Sequence, residues 1–204
     1  VVSIMHANNE TGVLFPVEDI SALIKERSDA LVHVDGVNAA GKVPIDLKTT
    51  GIDVYTVSGH KFHAAKGIGA VYIRGGIGFA PWFAGGGQER GRRPGTEAVH
   101  QVAGLGVAAD LAGDLSAMAP VRSLRDRLEN DILNSIPNSR LNGTSDPAKR
   151  LPNTTNISFE NTNGEAILAR LDDLGICVST GSACASADHT VSPVLQAMNV
   201  PYSY

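Results

Sequence analysis

Cysteine is scarce in this sequence, with only Cys177 and Cys184 among 204 residues. Two thiols exclude a disulfide framework and point to a reducing compartment, so a cytoplasmic location is expected. There is no Cys-x-x-Cys pair. The only closely spaced histidines, His60 and His63, sit in a glycine-bounded stretch, so no metal site is predicted. Basic residues are not in excess, 17 against 21 acidic for a net charge of −4, which argues against a nucleic-acid partner. No apolar run approaches the roughly 20 residues of a membrane span, and no basic, hydrophobic leader opens the sequence, so no membrane partner is expected. An initiator methionine is also missing. The sequence opens inside an apparent strand (Val1 to Met5) and stops abruptly at Tyr204, which reads as a piece of something longer.

What is present is ordinary for a soluble globular protein, 43% hydrophobic and 19% charged, and long enough for one large domain or two small ones. The chain turns on Ser58-Gly59-His60-Lys61. Before it runs Asp53 to Val57, β-branched and aromatic, which reads as a buried strand; after the glycine-spaced Lys66 to Gly69 comes a second strand, Ala70 to Ile73. A lysine is thereby delivered at a strand exit beside a hydroxyl, an imidazole and a flexible backbone. A lysine partly desolvated or held near another cation loses its proton more readily, and its amine then attacks carbonyl carbon. An aldehyde cofactor held as a Schiff base suits that chemistry. Lys61 as a plain surface lysine also fits the local residues, and Lys66 competes from within the glycine turn.

Along the chain, Val1 to Met5 is a predicted strand ending in the polar turn His6-Ala7-Asn8-Asn9-Glu10-Thr11-Gly12, at the kind of strand end where open α/β sheets bind ligands. Asn8 and Asn9 there also suit plain turn formation. Pro16 to Arg27 reads as a helix, with Glu18 and Asp19 at its start and Lys25 and Arg27 at its end, in the order the helix dipole favours. Leu31 to Asp35 is the next strand, and it delivers an aspartate to its end. Beside a pyridine-type aldehyde such an acid keeps the ring nitrogen protonated; at an effective dielectric of about 20 and about 4 Å the ion pair is worth about 4 kcal/mol. A cap for the turn from Val37 onward is the simpler role. Strand, helix, strand, link, strand and lysine in succession argue for a mostly parallel α/β sheet.

The run from Gly85 to Thr96 holds backbone amides, a hydroxyl and arginines that suit a phosphate, but it is no Walker loop, and a surface loop is the alternative. Glu97 to Leu115 and Val121 to Ile136 read as helices. The second carries Arg122, Arg125, Asp126, Arg127 and Glu129, read as a solvated face. A domain boundary is placed near residue 117, with a turn-rich stretch over 137–153. Beyond it a strand (Thr155 to Phe159), a helix (Gly164 to Asp173) and a short strand (Gly175 to Val178) make an α+β unit. Cys177, in phase with that last strand, reads as a small buried hydrophobe. Cys184, inside the small-residue run Ser179 to His189, lacks apolar neighbours and reads as an exposed, reactive thiol.

Together, His6 to Gly12, His33-Val34-Asp35, Ser58 to Lys61, Gly85 to Thr96 and Ser179 to Cys184 resemble the cysteine desulfurases of iron–sulfur cluster assembly. These are pyridoxal-phosphate enzymes of the class V aminotransferase type. The motifs agree in order along the whole chain, which would cover about half of a family member. The resemblance implies a type I pyridoxal-phosphate transferase fold: residues 1–117 would be part of the large cofactor-binding domain, a mixed, mostly parallel sheet with flanking helices, and 118–204 part of a smaller α+β C-terminal domain. It implies that Lys61 holds pyridoxal 5'-phosphate, that Asp35 pairs with the ring nitrogen, and that Ser58, Gly59 and His60 bind the cofactor, serine and histidine at its phosphate. Asn9 would contact the ring oxygen or the substrate carboxylate. Asn38 stands where relatives usually have glutamine, one methylene shorter toward the same ring oxygen. Thr96 would reach the phosphate of the partner subunit in a homodimer. Cys184 would take sulfur from L-cysteine, leaving L-alanine and a persulfide for an acceptor or iron–sulfur scaffold protein, with metal contact only in passing through that persulfide. The family's N-terminal phosphate loop and stacking histidine, and its C-terminal substrate-binding arginine, have no counterpart here, so these residues alone are not expected to form a competent enzyme. Selenocysteine lyase and a cofactor-free sulfur carrier using Cys184 are the competing readings.

Overall fold

The computed structural model describes residues 1–181, 192–201 and 203. They form two compact units, one of residues 1–7 and 15–117, the other of residues 8–14 and 118 onward.

The first unit is built on a four-stranded sheet in the order β1 (Val2–Met5), β2 (Val32–Asp35), β3 (Val54–Ser58), β4 (Gly69–Ile73). β1, β2 and β3 run parallel, with Met5 beside Asp35 and Asp35 beside Thr56; β4 runs antiparallel to β3, pairing Gly69 with Ser58. α1 (Val17–Arg27) makes the crossover from β1 to β2, with Pro16 just before its first turn and the acidic-to-basic charge order that the sequence predicts. Alternation along β2 explains how the sheet is used. Val32 and Val34 are fully buried and join Val17, Ile52 and Tyr55 in the core, with Ile4, Ile24 and Val57 packed around them. The residues between them face the other way. There His33 Nδ1 meets Ser3 Oγ at 2.7 Å and His33 Nε2 meets Thr56 Oγ1 at 3.2 Å, so a polar ladder crosses three strands. By the two-residue period, Asp35 and Ser58 lie on this polar face.

Two sets of charged contacts fix the lower end of the sheet. Lys25 Nζ lies 2.5 Å from Asp53 Oδ2, which also accepts from the Val32 amide at 2.8 Å, joining the end of α1 to the starts of β2 and β3. The Arg74 guanidinium, after β4, donates to the carbonyls of Leu47, Thr50 and Ile52 at 2.7 to 2.9 Å. After β4 come a single turn, α2 (Gln88–Gly91), in which Glu89 and Arg90 are left-handed, and the helix α3 (Val99–Ala112).

The second unit contains α4 (Met118–Ser135), an antiparallel pair β5 (Ser139–Leu141) and β6 (Ile157–Phe159), α5 (Gly164–Asp172) and α6 (Pro193–Ala197). Residues 8–14 belong to it through bonds from Leu151 to the Gly12 carbonyl and from Leu14 to the Lys149 carbonyl. β5 falls in a stretch that reads as turn-rich, because three residues, one of them arginine, carry too little pattern to announce a strand.

Two expectations need correction. The charged positions of α4 are not all solvated: Arg125 and Glu129 are buried. Arg150 supplies the missing counter-ion, its Nη1 and Nη2 reaching the two Glu129 oxygens at 3.0 and 2.8 Å, while Thr155 Oγ1 donates to the same carboxylate at 2.7 Å. Arg125 donates to the Leu151 carbonyl at 2.8 Å. Second, Gly175 to Val178 is not a strand, and Cys177 is exposed. Among the described residues no strand pairs with this stretch, so its alternation has no buried side.

Burial pushes the Glu129 carboxyl upward, but donation from Arg150 and Thr155 and the charges of Arg150 and Arg125 outweigh it and hold it below the usual glutamate value. A depressed native value stabilises the fold above the unfolded carboxyl pKa, and that contribution is lost as pH falls through the native one. Arg150→Met should therefore destabilise the second unit by about 3–5 kcal/mol near neutrality, because it leaves a buried carboxylate unpaired. The difference from the unaltered chain should shrink in acid. Denaturant titration followed by circular dichroism measures both; a loss below about 1 kcal/mol, the worth of an exposed pair, contradicts this view.

Candidate active site

The carboxyl ends of β2 and β3 gather most of the predicted residues. Asp35 closes β2 and is exposed; its Oδ1 accepts from the Val37 amide at 2.9 Å, and among the described residues Oδ2 has no donor. One oxygen thus caps the following turn while the other is uncommitted. Gly36 is obligatory at the exit from β2, because a Cβ there would lie 2.0 Å from the Tyr55 ring.

Ser58 ends β3, and the chain enters a tight turn, Gly59–Phe62. Ser58 Oγ and His60 Nδ1 are 3.1 Å apart. Gly59 is buried against Ala64, the Ile68 carbonyl and Leu105 of α3, each 3.0 Å from where a Cβ would stand, so a larger residue would displace the turn. Phe62 is buried and anchors the turn from below, while His63 ends it in the left-handed conformation. Just before Phe62, Lys61 is exposed, and among the described residues no acceptor or carboxylate holds its amine. Asp35, Ser58, Gly59, His60 and Lys61 are therefore brought to one end of the sheet.

Asn38 is half-buried on the loop after β2, and its carbonyl accepts from Lys42 Nζ at 2.9 Å. Asn9 is exposed on the 8–14 turn, which groups with the second unit. That turn is made by its neighbour: Asn8 Oδ1 accepts from the amides of Glu10 and Thr11 and from the Thr11 hydroxyl. Thr96 is exposed at the end of the glycine-rich loop, where Gly95 donates to Gln88 Oε1 at 3.1 Å. Cys184 lies outside the described residues. Among the described residues there is no cluster of side chains that could hold a metal, and no single helix is long and apolar enough to cross a membrane.

Residues 1–203 match the sequence family described as aminotransferase class-V. The chain belongs to that family. Among the relatives of this class-V chain, cysteine desulfurase 2 of Trichormus variabilis is 54% identical over 204 residues, covering all of this chain and 50% of the relative. Cysteine desulfurase NifS of Azotobacter vinelandii is 49% identical over 205 residues, again covering this whole chain and 50% of the relative. A solved NifS-like protein superposes with a TM-score of 0.87 at 38% identity, covering 99% of this chain and 52% of that one. The fold is thus the mixed, mostly parallel sheet with helices that the motifs imply. The chain spans about half the length of the curated relatives it matches.

Three residues of this family member gain a place that their sequence context did not announce. His6 follows β1, and its Nδ1 lies 3.0 Å from Tyr55 Oη in the core, with the rings edge to face at 78°. The third, Lys42, is half-buried on the loop after β2. Burial holds the His6 imidazole below its ordinary pKa. Burial, and then the charge of Asp35, push the Tyr55 phenol up, so the pair is neutral. An apolar strand followed by a lone histidine gives no sign of this bond, because its partner lies 49 residues away.

The depressed His6 value means that the unfolded chain takes up a proton first as pH falls from about 6.5, so the folded state loses stability on acidification. His6→Gln should flatten the fall in stability between pH 7 and 5, measured as the change in denaturant midpoint. Equal slopes for both proteins would contradict the assignment.

Proposed function

We propose that this chain forms part of a pyridoxal 5'-phosphate-dependent cysteine desulfurase. The observation that supports this best is the shared position of three chemistries: Ser58 and an Asp35 oxygen uncommitted among the described residues lie on one face of adjacent parallel strands, and the Lys61 amine, likewise without a partner among the described residues, follows three residues after Ser58. This donor set fits the cofactor group by group. An amine suits its aldehyde, a carboxylate its ring nitrogen, and the hydroxyl–imidazole pair of Ser58 and His60 its phosphate. The names of the relatives support the reaction.

When bound, the cofactor supplies an electron-accepting ring to the substrate carbon. Lys61 would hold the cofactor through its amine and would move a proton at that carbon. Asp35 would keep the ring nitrogen protonated, and Gly59 would contribute to holding the cofactor through its backbone. Asn38 donates to the ring oxygen with a shorter reach than glutamine has, and Asn9 serves the ring oxygen or the substrate carboxylate. Thr96 reaches the phosphate of a second subunit in a homodimer. The Cys184 thiolate attacks the sulfur of L-cysteine: an S–S bond forms as the C–S bond breaks, and the electron pair returns to carbon, which takes a proton to become L-alanine. The resulting persulfide passes sulfur to an acceptor or scaffold protein, in a reducing, cytoplasmic setting.

Treating the chain with pyridoxal phosphate and then borohydride should leave a pyridoxyl group on Lys61, located by peptide mapping. Lys61→Ala should remove it. A label confined to Lys42 or Lys66 would refute the assignment.

A further inference from the structure

Lys42 is a half-buried lysine with no carboxylate in salt-bridge distance among the described residues. Its ammonium instead donates to two backbone carbonyls, Asn38 at 2.9 Å and Lys61 at 3.3 Å. The first belongs to the loop that starts at Asp35, the second to the turn that carries the reactive amine. They lie 4 and 19 residues from Lys42, respectively, so one side chain ties together the exits of β2 and β3.

The backbone delivers Lys42 to this place deliberately. Gly41 just before it is left-handed at φ +73°, and a Cβ there would stand 2.9 Å from Ala112 Cβ and 3.2 Å from Phe62 Cβ. The loop therefore passes close against Phe62, the buried neighbour of Lys61. The Lys42 and Val43 amides both donate hydrogen bonds to the Ala39 carbonyl and close the same loop. Burial, and then the charge of Lys61, hold the Lys42 ammonium below the ordinary lysine pKa, so a cation is kept at this position against both desolvation and like charge. A surface salt bridge or a solvated lysine would avoid both penalties.

We propose that Lys42 is a positioning residue: its ammonium clamps the carbonyls of Asn38 and Lys61, holding the Lys61 turn at a fixed distance from the loop led by Asp35. The inference rests on the reading of Lys61 as the cofactor-bearing amine. Lys42 itself forms no bond to cofactor or substrate; it acts through the backbone of Lys61. Because a displacement of about 1 Å at a reacting group can lower a rate about 100-fold, losing the clamp should be felt at Lys61 far more than elsewhere.

The test compares the chain with Lys42→Met, which keeps the length but not the donors, and Lys42→Arg, which restores a cationic donor. Each is pulsed with pyridoxal phosphate and borohydride, and the label on Lys61 is divided by that on exposed Lys48 in the same digest. Hydrogen exchange of the 59–63 amides is measured on the same proteins without cofactor. Lys42→Met should lower the Lys61 to Lys48 ratio at least tenfold and speed exchange over 59–63, while Lys42→Arg recovers most of both. A general loss of packing would instead change the two labels together and would not be rescued by arginine; that result overturns the clamp. So does an unchanged ratio in Lys42→Met. If the unaltered chain takes no label on Lys61, the functional reading itself fails, whatever the exchange data show.

Discussion

Parallel hydrogen bonding among β1, β2 and β3 is the constraint on which every other feature of the first unit rests. It sets Met5, Asp35 and Thr56 side by side and opens the carboxyl ends of three strands at one edge. The register is enforced by burial. Val32, Val34, Ile52 and Tyr55 are all buried, each worth about 1.5–3 kcal/mol. Slipping β2 by one residue would exchange its faces, exposing both valines and driving the Asp35 carboxylate into the core. Each of these changes is unfavourable. The acid that the proposed chemistry needs is therefore held at the surface by the apolar residues between which it alternates.

Charge is handled in two different ways within the two units. Lys25 and Asp53 neutralise each other at the base of the sheet, and Glu129 and Arg150 do so in the second unit with both carboxylate oxygens and the two terminal guanidinium nitrogens engaged. Such pairs contribute specificity more than net stability, since desolvation offsets most of the Coulomb gain. Arg74 and Lys42 are different: they are cations satisfied by carbonyls, which bind without cancelling the charge. Arg74 closes the loop before β3 from the far end, and Lys42 closes the loops at the end where Asp35 and Lys61 emerge. The two ends of the sheet thus share a device but differ in what it leaves exposed.

Much of this was legible in the sequence because it follows local rules. The run Leu31 to Asp35 reads as β2, proline with ordered charges places α1, and a strand ending in Ser-Gly-His-Lys marks the exit of β3. What escaped depends on contacts between distant residues. Nothing near Glu129 announces Arg150, 21 residues on, and nothing near Lys42 shows that Gly41 folds it back beneath Lys61. Cys177 misled for the opposite reason: alternation around it suggested a buried face, but burial requires a partner, and among the described residues none pairs there. Periodicity reports what a segment is able to bury, and only the tertiary fold decides whether it does.

The central claim is that the Asp35 carboxylate and the Lys61 amine serve one aromatic ring. It is tested most directly by the nitrogen-15 NMR shift of ring-labelled pyridoxal phosphate bound to the chain, compared between the unaltered protein and Asp35→Asn. A protonated-pyridine shift at neutral pH that reverts to the unprotonated value in Asp35→Asn is the predicted result. A ring nitrogen in the same protonation state in both proteins would contradict it.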